Sequence, residues 1–408
     1  MYNNINHNAD IPLEEFIKAY CECRKRKRTT VNAMKFEINF MEKITELCNN
    51  VNNRTYKIGK SITFLITQPK LREVFAASFD DRVIHHIIFD RVNPLFEKVF
   101  ITDSYSCREG KGTLYGVSRL SEKIQTLSNN YTEDVWIGKF DIKGFFMSIS
   151  KSKLWKMLED FILTNYHEAD RDTLLYLTEK TVLHAPQKYC IRKTPKWKWK
   201  ALPKDKSLFT CNPDCGLPIG NLTSQCFANF YLNEFDHFME NLFGGYYGRY
   251  VDDFYVVAKT KKEITDRIND IKNFLWNKLG LKLHDKKLYI QRYDRGVKFI
   301  GTVVKKDRKY TGNLTRGNIV KTIHHFNVVY ATYEAAEKFC CVINSYFGFM
   351  KYTNSKRLKK KLIKSIDNKW RGILYFPPPR DKAILLWNYN PTWRMKRLLK
   401  AGKINIGP

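Results

Sequence analysis

Three aspartates stand where strand-forming residues end or turn. Asp252 and Asp253 are adjacent in GRYVDDFYVV (248–257), between aromatic and β-branched runs, which predicts a β-hairpin with acids at its turn. Asp141 follows an apolar strand in KFDIKGFF (139–146). If that strand lies beside the hairpin, three hard oxygen ligands meet, as two Mg²⁺ ions require for phosphoryl transfer onto a nucleic-acid 3′ hydroxyl. From the hairpin alone, a solvated surface turn is the equally valid alternative.

Composition indicates a folded protein with a polyanionic partner. The 408 residues are 43% hydrophobic and 14% aromatic, and they carry a net charge of +30. Nucleic acid is therefore the expected partner, and no membrane is expected because the chain lacks an apolar run of 18 residues or a signal peptide. The ten cysteines form no CxxC pairs of zinc-site spacing, which favours reduced thiols and a cytoplasmic protein.

Hydrophobic periodicity predicts which elements position these aspartates. A strand is expected from residue 135 until Gly144, a loop at 104–113, a basic insertion at 186–215, and short strands at 281–304. Helices are expected at 11–50, 69–100, 151–182, from about Thr223 to 239, at 263–279 and from 314 onward. This central alternation predicts an α/β or α+β core flanked by helical segments.

Five motifs in a fixed order resemble those of reverse transcriptases, over roughly residues 60–350. They are FDIKGFF, GLPIGNLTSQ, YVDD, LHDKK and GVKFIG. The resemblance implies an α+β right-hand polymerase fold and RNA-directed DNA polymerase activity. It divides the chain into fingers with a basic helical N-terminal region (1–134), a palm containing the insertion (135–310), and a helical thumb with a basic tail (311–408).

The resemblance also implies roles for individual residues. Asp141, Asp252 and Asp253 match the catalytic triad that binds two Mg²⁺ ions, or Mn²⁺, and Lys287 or its neighbour Lys286 matches the lysine near the outgoing pyrophosphate. The implied dNTP-binding residues are Arg72, Arg82, Lys111, Phe145, Phe146, Ile219, Gly220 and Gln225. Among them, the second aromatic of FDIKGFF matches the residue that excludes a 2′ hydroxyl, with a core aromatic as the alternative; for the cations the alternative is a solvated surface.

Basic and aromatic side chains outside the motifs are candidates for nucleic-acid binding. Cations neutralise phosphates, and aromatic rings stack on unpaired bases. The candidates are Arg24, Lys25, Arg26, Lys27, Arg28, Arg108, Trp197, Trp199, Lys356, Arg357, Lys359, Lys360, Lys361 and Lys364. A solvated helical face is the alternative for the charge runs, and a hydrophobic anchor for the two tryptophans.

The loop from Ile219 to Gln225 resembles enzymes of diversity-generating retroelements and related bacterial lineages, some of which make DNA from a noncoding RNA in antiphage defence. The segment beyond about residue 370 does not resemble a diversity-generating enzyme, which favours defence over diversification. The expected partners are an RNA template, a DNA primer or product, dNTPs, and an accessory protein or second copy. A non-catalytic RNA-binding protein and a metal nuclease are the alternatives from other classes.

Overall fold

The computed structural model describes residues 9–25, 30–67 and 70–386. The chain forms two compact units, one from Met1–Gly112 with Gly138–Ile290 and one from Thr113–Ile137 with Gln291–Pro408. Residues 113–137, which the sequence placed with the fingers, thus cluster with the C-terminal part of the chain. Among the described residues, none of the helices has both the length and the apolar character needed to span a bilayer.

Helices make up most of the regular structure. In chain order they are α1 (Leu13–Arg24), α2 (Val31–Glu37), α3 (Phe40–Asn52), α4 (Phe79–Val99), α5 (Thr113–Leu127), α6 (Phe145–Ser148), α7 (Lys151–Asn165), α8 (Arg171–Leu183), α9 (Leu222–Tyr231), α10 (Asn233–Leu242), α11 (Lys261–Asp266), α12 (Ile268–Leu279), α13 (Asn313–Val328), α14 (Tyr333–Met350), α15 (Lys356–Lys364) and α16 (Asn368–Arg371). Most of these helices lie in the predicted regions, but α5 and α6 lie outside them, and the second predicted region starts too early.

The strands are short and belong to four small sheets. They are β1 (Ile62–Ile66), β2 (Arg72–Ala76), β3 (Trp136–Asp141), β4 (Ile191–Arg192), β5 (Tyr247–Tyr250), β6 (Asp253–Ala258), β7 (Tyr289–Arg292), β8 (Val297–Phe299), β9 (Thr302–Lys305), β10 (Arg308–Thr311), β11 (Leu374–Tyr375) and β12 (Ile384–Leu385). The four sheets have the strand orders β2-β1-β4, β5-β6-β3-β7, β10-β9-β8 and β11-β12.

The prediction of a helix from residue 69 is wrong over β2. In REVFA the buried side chains alternate, with Glu73 and Phe75 facing inward, which is the two-residue period of a strand. β2 pairs antiparallel with β1, and β1 pairs parallel with β4 of the insertion. Helix α4 begins only at Phe79, where the Ser78 hydroxyl accepts a hydrogen bond of 3.1 Å from the Asp81 backbone N–H.

The central sheet of the first unit carries the aspartates. β5 and β6 form the predicted hairpin, and β3 lies next to β6 in the sheet order. Phe140 of β3 and Phe254 of β6 stack with ring centroids 5.1 Å apart, and Phe235 of α10 packs edge-on against Phe254 at 5.3 Å. These aromatic contacts hold the end of β3 level with the hairpin turn.

The second unit has its own hydrophobic core. Helices α13 to α16 surround buried side chains that include Ile343, Phe347 and Trp370, whose indole N–H donates to the Phe326 carbonyl at 2.9 Å. Leu374 of β11 and Leu385 of β12 are part of this core. Residues 370–386 are therefore integral to the C-terminal helical unit.

Candidate active site

The three predicted aspartates lie where β3 ends and where β5 turns into β6. Tyr250 pairs with Asp253 in the hairpin register, so Val251 and Asp252 form a two-residue turn. The backbone N–H of Ile142, which follows Asp141, donates to the Asp252 carbonyl at 3.1 Å. The structure therefore places the two motifs side by side, which was the condition left open by the sequence.

The turn is strained at its first residue. Val251 has φ of +58°, in the left-handed region that β-branched residues rarely adopt. Two-residue hairpin turns need a positive φ at this position to match the twist of the strands. The hairpin register thus imposes a conformation that valine does not favour, and the surrounding contacts must hold it there.

Electrostatic repulsion links the three carboxylates. Burial, followed by the negative charges of Asp141 and Asp253, raises the pKa of Asp252 to about 6. Lys287 donates from Nζ to both carboxylate oxygens of Asp141 at 2.8 and 2.9 Å, and Lys139 lies 3.3 Å from Asp253. Two ammonium groups therefore offset only part of the negative charge collected here.

This donor set fits a divalent cation. The raised pKa of Asp252 means that the folded protein resists the third negative charge, which a hard cation would stabilise. Among residues 9–25, 30–67 and 70–386, no group of three or more His, Cys, Asp or Glu side chains is placed so that it alone could hold a metal ion. Mg²⁺ is commonly held by one or two carboxylates with water and substrate phosphates, so an open set of this kind fits it.

A buried ion pair anchors the hairpin. Arg249 of β5 and Asp236 of α10 are both fully buried, and the guanidinium donates to the carboxylate at 2.6 and 2.5 Å. The Tyr247 hydroxyl donates to the same carboxylate at 2.7 Å, and Arg249 also donates to the Ser104 hydroxyl at 3.2 Å. The sequence analysis missed this pair, although an arginine in an aromatic strand and an aspartate in an apolar helix are each unusual.

Gly248 allows a close approach beneath the hairpin. A Cβ at this position would lie 2.4 Å from the hydroxyl of Tyr105 and 2.6 Å from that of Tyr255. These two hydroxyls are 2.7 Å apart and hydrogen-bonded to each other. The glycine in GRYVDD is therefore required by the tyrosine pair that supports β6.

The two aromatics of FDIKGFF have different environments. Phe145 is 3% exposed and packs edge-on against Phe146, with ring centroids 5.5 Å apart, while Phe146 is only partly buried. Phe145 therefore supports its neighbour from the core and does not line an accessible pocket, which corrects its assignment to dNTP binding. The backbone N–H of Leu217 donates to the Phe146 carbonyl at 2.8 Å, so this aromatic and the 216–225 loop are directly connected.

The 216–225 loop also joins β2. The Phe75 N–H donates to the Ile219 carbonyl at 2.8 Å, and the Ala77 N–H donates to the Asn221 side chain at 3.3 Å. Gly220 has φ of +121°, and a Cβ there would lie 2.8 Å from Val74. Ile219 and Gly220 therefore lie beside the strand that carries exposed Arg72, as expected for parts of one pocket.

The other predicted nucleotide ligands form hydrogen bonds within the protein. Gln225 is exposed, and its Oε1 accepts from the Cys107 thiol at 3.1 Å. Arg82 donates to the Ala77 carbonyl at 3.1 Å, and Lys111 donates to the Thr102 carbonyl at 2.6 Å. Their contact with dNTP remains a prediction.

The predicted nucleic-acid contacts separate into buried and exposed groups. Arg108 is paired with Glu97 at 2.8 Å, with its side chain 4% exposed, and buried Lys359 is paired with Asp381. Both charges are neutralised inside the protein, so we remove them from the proposed surface. Trp199 donates to Glu73 at 2.6 Å, whereas Trp197 is 66% exposed.

Other predicted cations lie at the end of α1 and on α15. Arg24 of α1 pairs with Glu37, and Lys25 pairs with Glu22 at 2.5 Å, while Arg26, Lys27 and Arg28 lie outside the described residues. On α15, five cations are exposed, and we call them the α15 cations: Lys356, Arg357, Lys360, Lys361 and Lys364. These positions stay predictions for phosphate contact.

A small buried cavity lies behind the 216–225 loop. Its lining includes Asp81, His85, His184, Asn221 and Ser224. Three atoms there, Asp81 Oδ2, His85 Nδ1 and His184 Nε2, are buried without a hydrogen-bond partner. Burial lowers the pKa of His85 to about 4, so its imidazole is neutral at physiological pH.

Three known proteins are similar to parts of this chain. It is similar to Protein YkfC of Escherichia coli (strain K12), at 23% identity over 287 residues, which is 62% of this chain and 68% of that protein. Among solved structures, apo telomerase from Candida tropicalis aligns with a TM-score of 0.49 and 10% identity over 76% of this chain. Telomerase from Candida albicans with a telomeric RNA fragment aligns with a TM-score of 0.42 and 11% identity over 81%. These alignments span 55% and 60% of the telomerase chains, less than two thirds of their length.

The family comparison is more extensive. The family described as reverse transcriptase (RNA-dependent DNA polymerase) matches residues 67–304, which is more than half of the chain and includes all three aspartates. The α+β architecture and the aspartates at the hairpin turn agree with that match. This chain therefore belongs to the reverse transcriptase family of RNA-dependent DNA polymerases.

Proposed function

We propose that Asp141, Asp252 and Asp253 bind two divalent cations, with Mg²⁺ as the expected ion and Mn²⁺ as the alternative, and that they carry RNA-directed DNA synthesis. The observation behind this assignment is that the end of β3 lies against the hairpin turn, where burial, followed by the charges of Asp141 and Asp253, raises the pKa of Asp252. A protein that only bound RNA would gain nothing from three acids in a nucleic-acid groove, because they repel phosphate. A nuclease would not explain the nucleotide loop beside them.

The divalent cations would activate the primer 3′ hydroxyl and neutralise the triphosphate and the leaving pyrophosphate. Asp141 and Asp252 would supply ligands directly, and Asp253, which is paired with Lys139, would contribute less directly. Lys287 is 48% exposed, so its side chain is free to leave Asp141 and reach the pyrophosphate. An ammonium placed there stabilises the charge that develops on the leaving group.

Selection of the incoming nucleotide would depend on Phe146 and the 216–225 loop. The partly exposed ring of Phe146 lies in the segment just after Asp141, and its carbonyl is bonded to the loop. A bulky ring under the sugar would leave no room for a 2′ hydroxyl. Arg72, exposed on the adjacent β2, would contact the triphosphate.

The template would be a specific, structured RNA held largely through its phosphates. The net charge of +30 supplies the attraction, and the α15 cations and exposed Trp197 supply candidate contacts to phosphates and unpaired bases. A DNA primer or product, dNTPs, and an accessory protein or second copy of the chain complete the proposed partners.

We infer antiphage defence with a noncoding RNA template as the biological role, with diversity generation as the second candidate. The 216–225 loop supports both, because it resembles diversity-generating enzymes and related bacterial lineages. The segment from residue 370 does not resemble diversity-generating enzymes, which favours defence. Within that segment, residues 370–386 belong to the C-terminal core. Residues 387–408 are therefore the part left to serve a dedicated partner.

Sequencing the RNA that copurifies with the protein, and the DNA made from it, tests this role. A defence enzyme should yield a defined or repetitive DNA from a small noncoding RNA, and its protection of cells against phage should require Asp252. Errors concentrated at one template base across a protein-coding RNA would instead establish diversity generation. DNA synthesis on a primed RNA template, compared between the native chain and a variant with Asp252→Ala and Asp253→Ala, tests the activity itself.

A further inference from the structure

The basic insertion is fastened to the fingers strand β2 by one buried carboxylate. Glu73 is 1% exposed and accepts three hydrogen bonds from the insertion. The donors are the Trp199 indole N–H at 2.6 Å, the Ser207 hydroxyl at 2.7 Å and the Leu208 backbone N–H at 2.7 Å. Hydrogen bonds to a buried charged group are among the stronger ones in proteins, so this contact fixes the insertion firmly.

The fastened segment reaches the aromatic that we assign to sugar selection. Leu208 is buried in a cluster with Phe75 and Met147. Phe146, Ile219 and Phe209, among other partly buried side chains, pack against this cluster. The insertion is therefore part of the support behind both halves of the proposed nucleotide pocket.

A second contact joins the insertion to the turn before Phe146. Gly144 has φ of +56°, and a Cβ there would lie 2.9 Å from the Asp205 carbonyl oxygen. The Phe209 ring packs against the cluster that contains Leu208. The guanidinium of exposed Arg192 lies 3.8 Å from the centroid of this ring. The insertion thus contacts this turn as well as the aromatic that follows it.

Side chains on the two faces of β2 have different proposed roles. Adjacent residues in a strand point to opposite faces, so Arg72 is exposed while Glu73 is buried toward the insertion. The proposed triphosphate contact and the attachment of the insertion are therefore one residue apart on the same strand. A movement of the insertion would therefore displace Glu73 and, with it, the neighbouring Arg72.

We propose that the insertion forms a wall of the nucleotide pocket, and that Glu73 is a positioning residue that holds this wall against Phe146. This inference rests on the proposed function, because it takes Phe146 as the sugar-facing aromatic. It makes the insertion a determinant of dNTP affinity and of discrimination against ribonucleotides. A purely structural insertion would affect folding without changing either quantity.

The test replaces Glu73 by glutamine and measures single-nucleotide incorporation on a primed RNA template. The amide removes the negative charge and places an NH₂ group against donors, so the wall should loosen. We expect the KM for dNTP to rise about tenfold or more, with a smaller change in kcat and a higher ratio of rNTP to dNTP incorporation. Limited proteolysis should also cleave the insertion faster in Glu73→Gln.

Two further variants keep the test decisive. Glu179→Gln changes an exposed carboxylate of α8 in the same way and should leave KM, kcat and the rNTP ratio unchanged. Trp199→Phe keeps an aromatic ring but removes one donor to Glu73. It should also raise the KM for dNTP and the rNTP ratio, and it provides the test if Glu73→Gln does not fold. If folded Glu73→Gln and Trp199→Phe both retain native KM and rNTP ratio, the proposal is overturned.

Failure of the proposed function would look different. In that case the native chain would make no DNA on the RNA template, or the Asp252→Ala, Asp253→Ala variant would make as much as the native chain. Native synthesis that depends on the aspartates, with unchanged nucleotide selection in Glu73→Gln, would reject only the role of the insertion.

Discussion

Replacing Arg249 by methionine should destabilise the first unit far more than the loss of an ordinary ion pair. Arg249 and Asp236 are both 0% exposed, so the variant leaves a carboxylate buried without its charge partner. Breaking such a pair from one side costs about 3–5 kcal/mol, compared with a total of about 5–15 kcal/mol for a typical domain. The Tyr247 hydroxyl donates to the same carboxylate but cannot neutralise its charge.

A double variant separates the cost of the stranded charge from the value of the pair. Arg249→Met with Asp236→Leu removes both charges and fills the space with apolar side chains, which is often neutral or stabilising for buried pairs. The Tyr247 hydroxyl then loses its acceptor, at about 1–3 kcal/mol. We therefore expect the double variant to be more stable than the single one. Lys156→Met, which breaks an exposed pair with Asp160 on α7, is the control and should change stability little.

Hydrogen exchange of the β5 and β6 amides measures the loss of stability in the hairpin itself, and unfolding in urea measures the loss in the whole protein. The single variant should exchange faster across the hairpin and should lose DNA synthesis, since Asp252 and Asp253 lie on that hairpin. Recovery of protection in the double variant would support the reasoning. Equal protection in the native, single and double variants would refute it, because the hairpin would then not depend on the pair.

Four other changes have defined outcomes. Asp252→Ala together with Asp253→Ala should abolish DNA synthesis while preserving RNA binding, and a near-native rate would reject the site. Phe146→Ala should raise rNTP relative to dNTP incorporation; an unchanged ratio would make this ring a core residue. Neutralising the α15 cations should weaken RNA binding and reduce its log-log salt slope by roughly one unit per lost phosphate contact, and a constant slope would show that they are only solvated. Because burial lowers the pKa of His85 to about 4, from about 6.5 when unfolded, the unfolded state binds the proton more readily, and His85 should lower the free energy of unfolding by up to about 3 kcal/mol between pH 7 and pH 4 relative to the His85→Gln variant. The comparison is made between these two chains because both keep the opposite contribution of Asp252, whose pKa is raised to about 6.

The sequence predicted the aspartate hairpin because its signals are local. Alternating aromatic and β-branched residues specify strands, and two acids mark the turn between them. The strand that ends at Asp141 could be recognised for the same reason. Its position beside the hairpin was a hypothesis, since strand order depends on contacts between distant segments.

Other features depended on partners that no local pattern reveals. The segment REVFA precedes an amphipathic helix and shares its apolar content, so β2 was predicted as helix. In the sequence, nothing distinguishes Arg108 and Lys359 from the other basic candidates, but each is paired with a carboxylate in the fold. Glu73 bonds to Ser207, which is far away in the chain, and only the fold brings them together.

The interleaved units have a consequence for folding during synthesis. Helix α5 emerges from the ribosome early, but β9, against which it packs in the second unit, follows well over a hundred residues later. At about 5–20 residues per second, the apolar face formed by Val117, Leu120 and Ile124 would wait roughly 10–30 s for that partner. During that interval a chaperone would have an apolar helix face to cover, and slower translation would lengthen the time in which this face could aggregate.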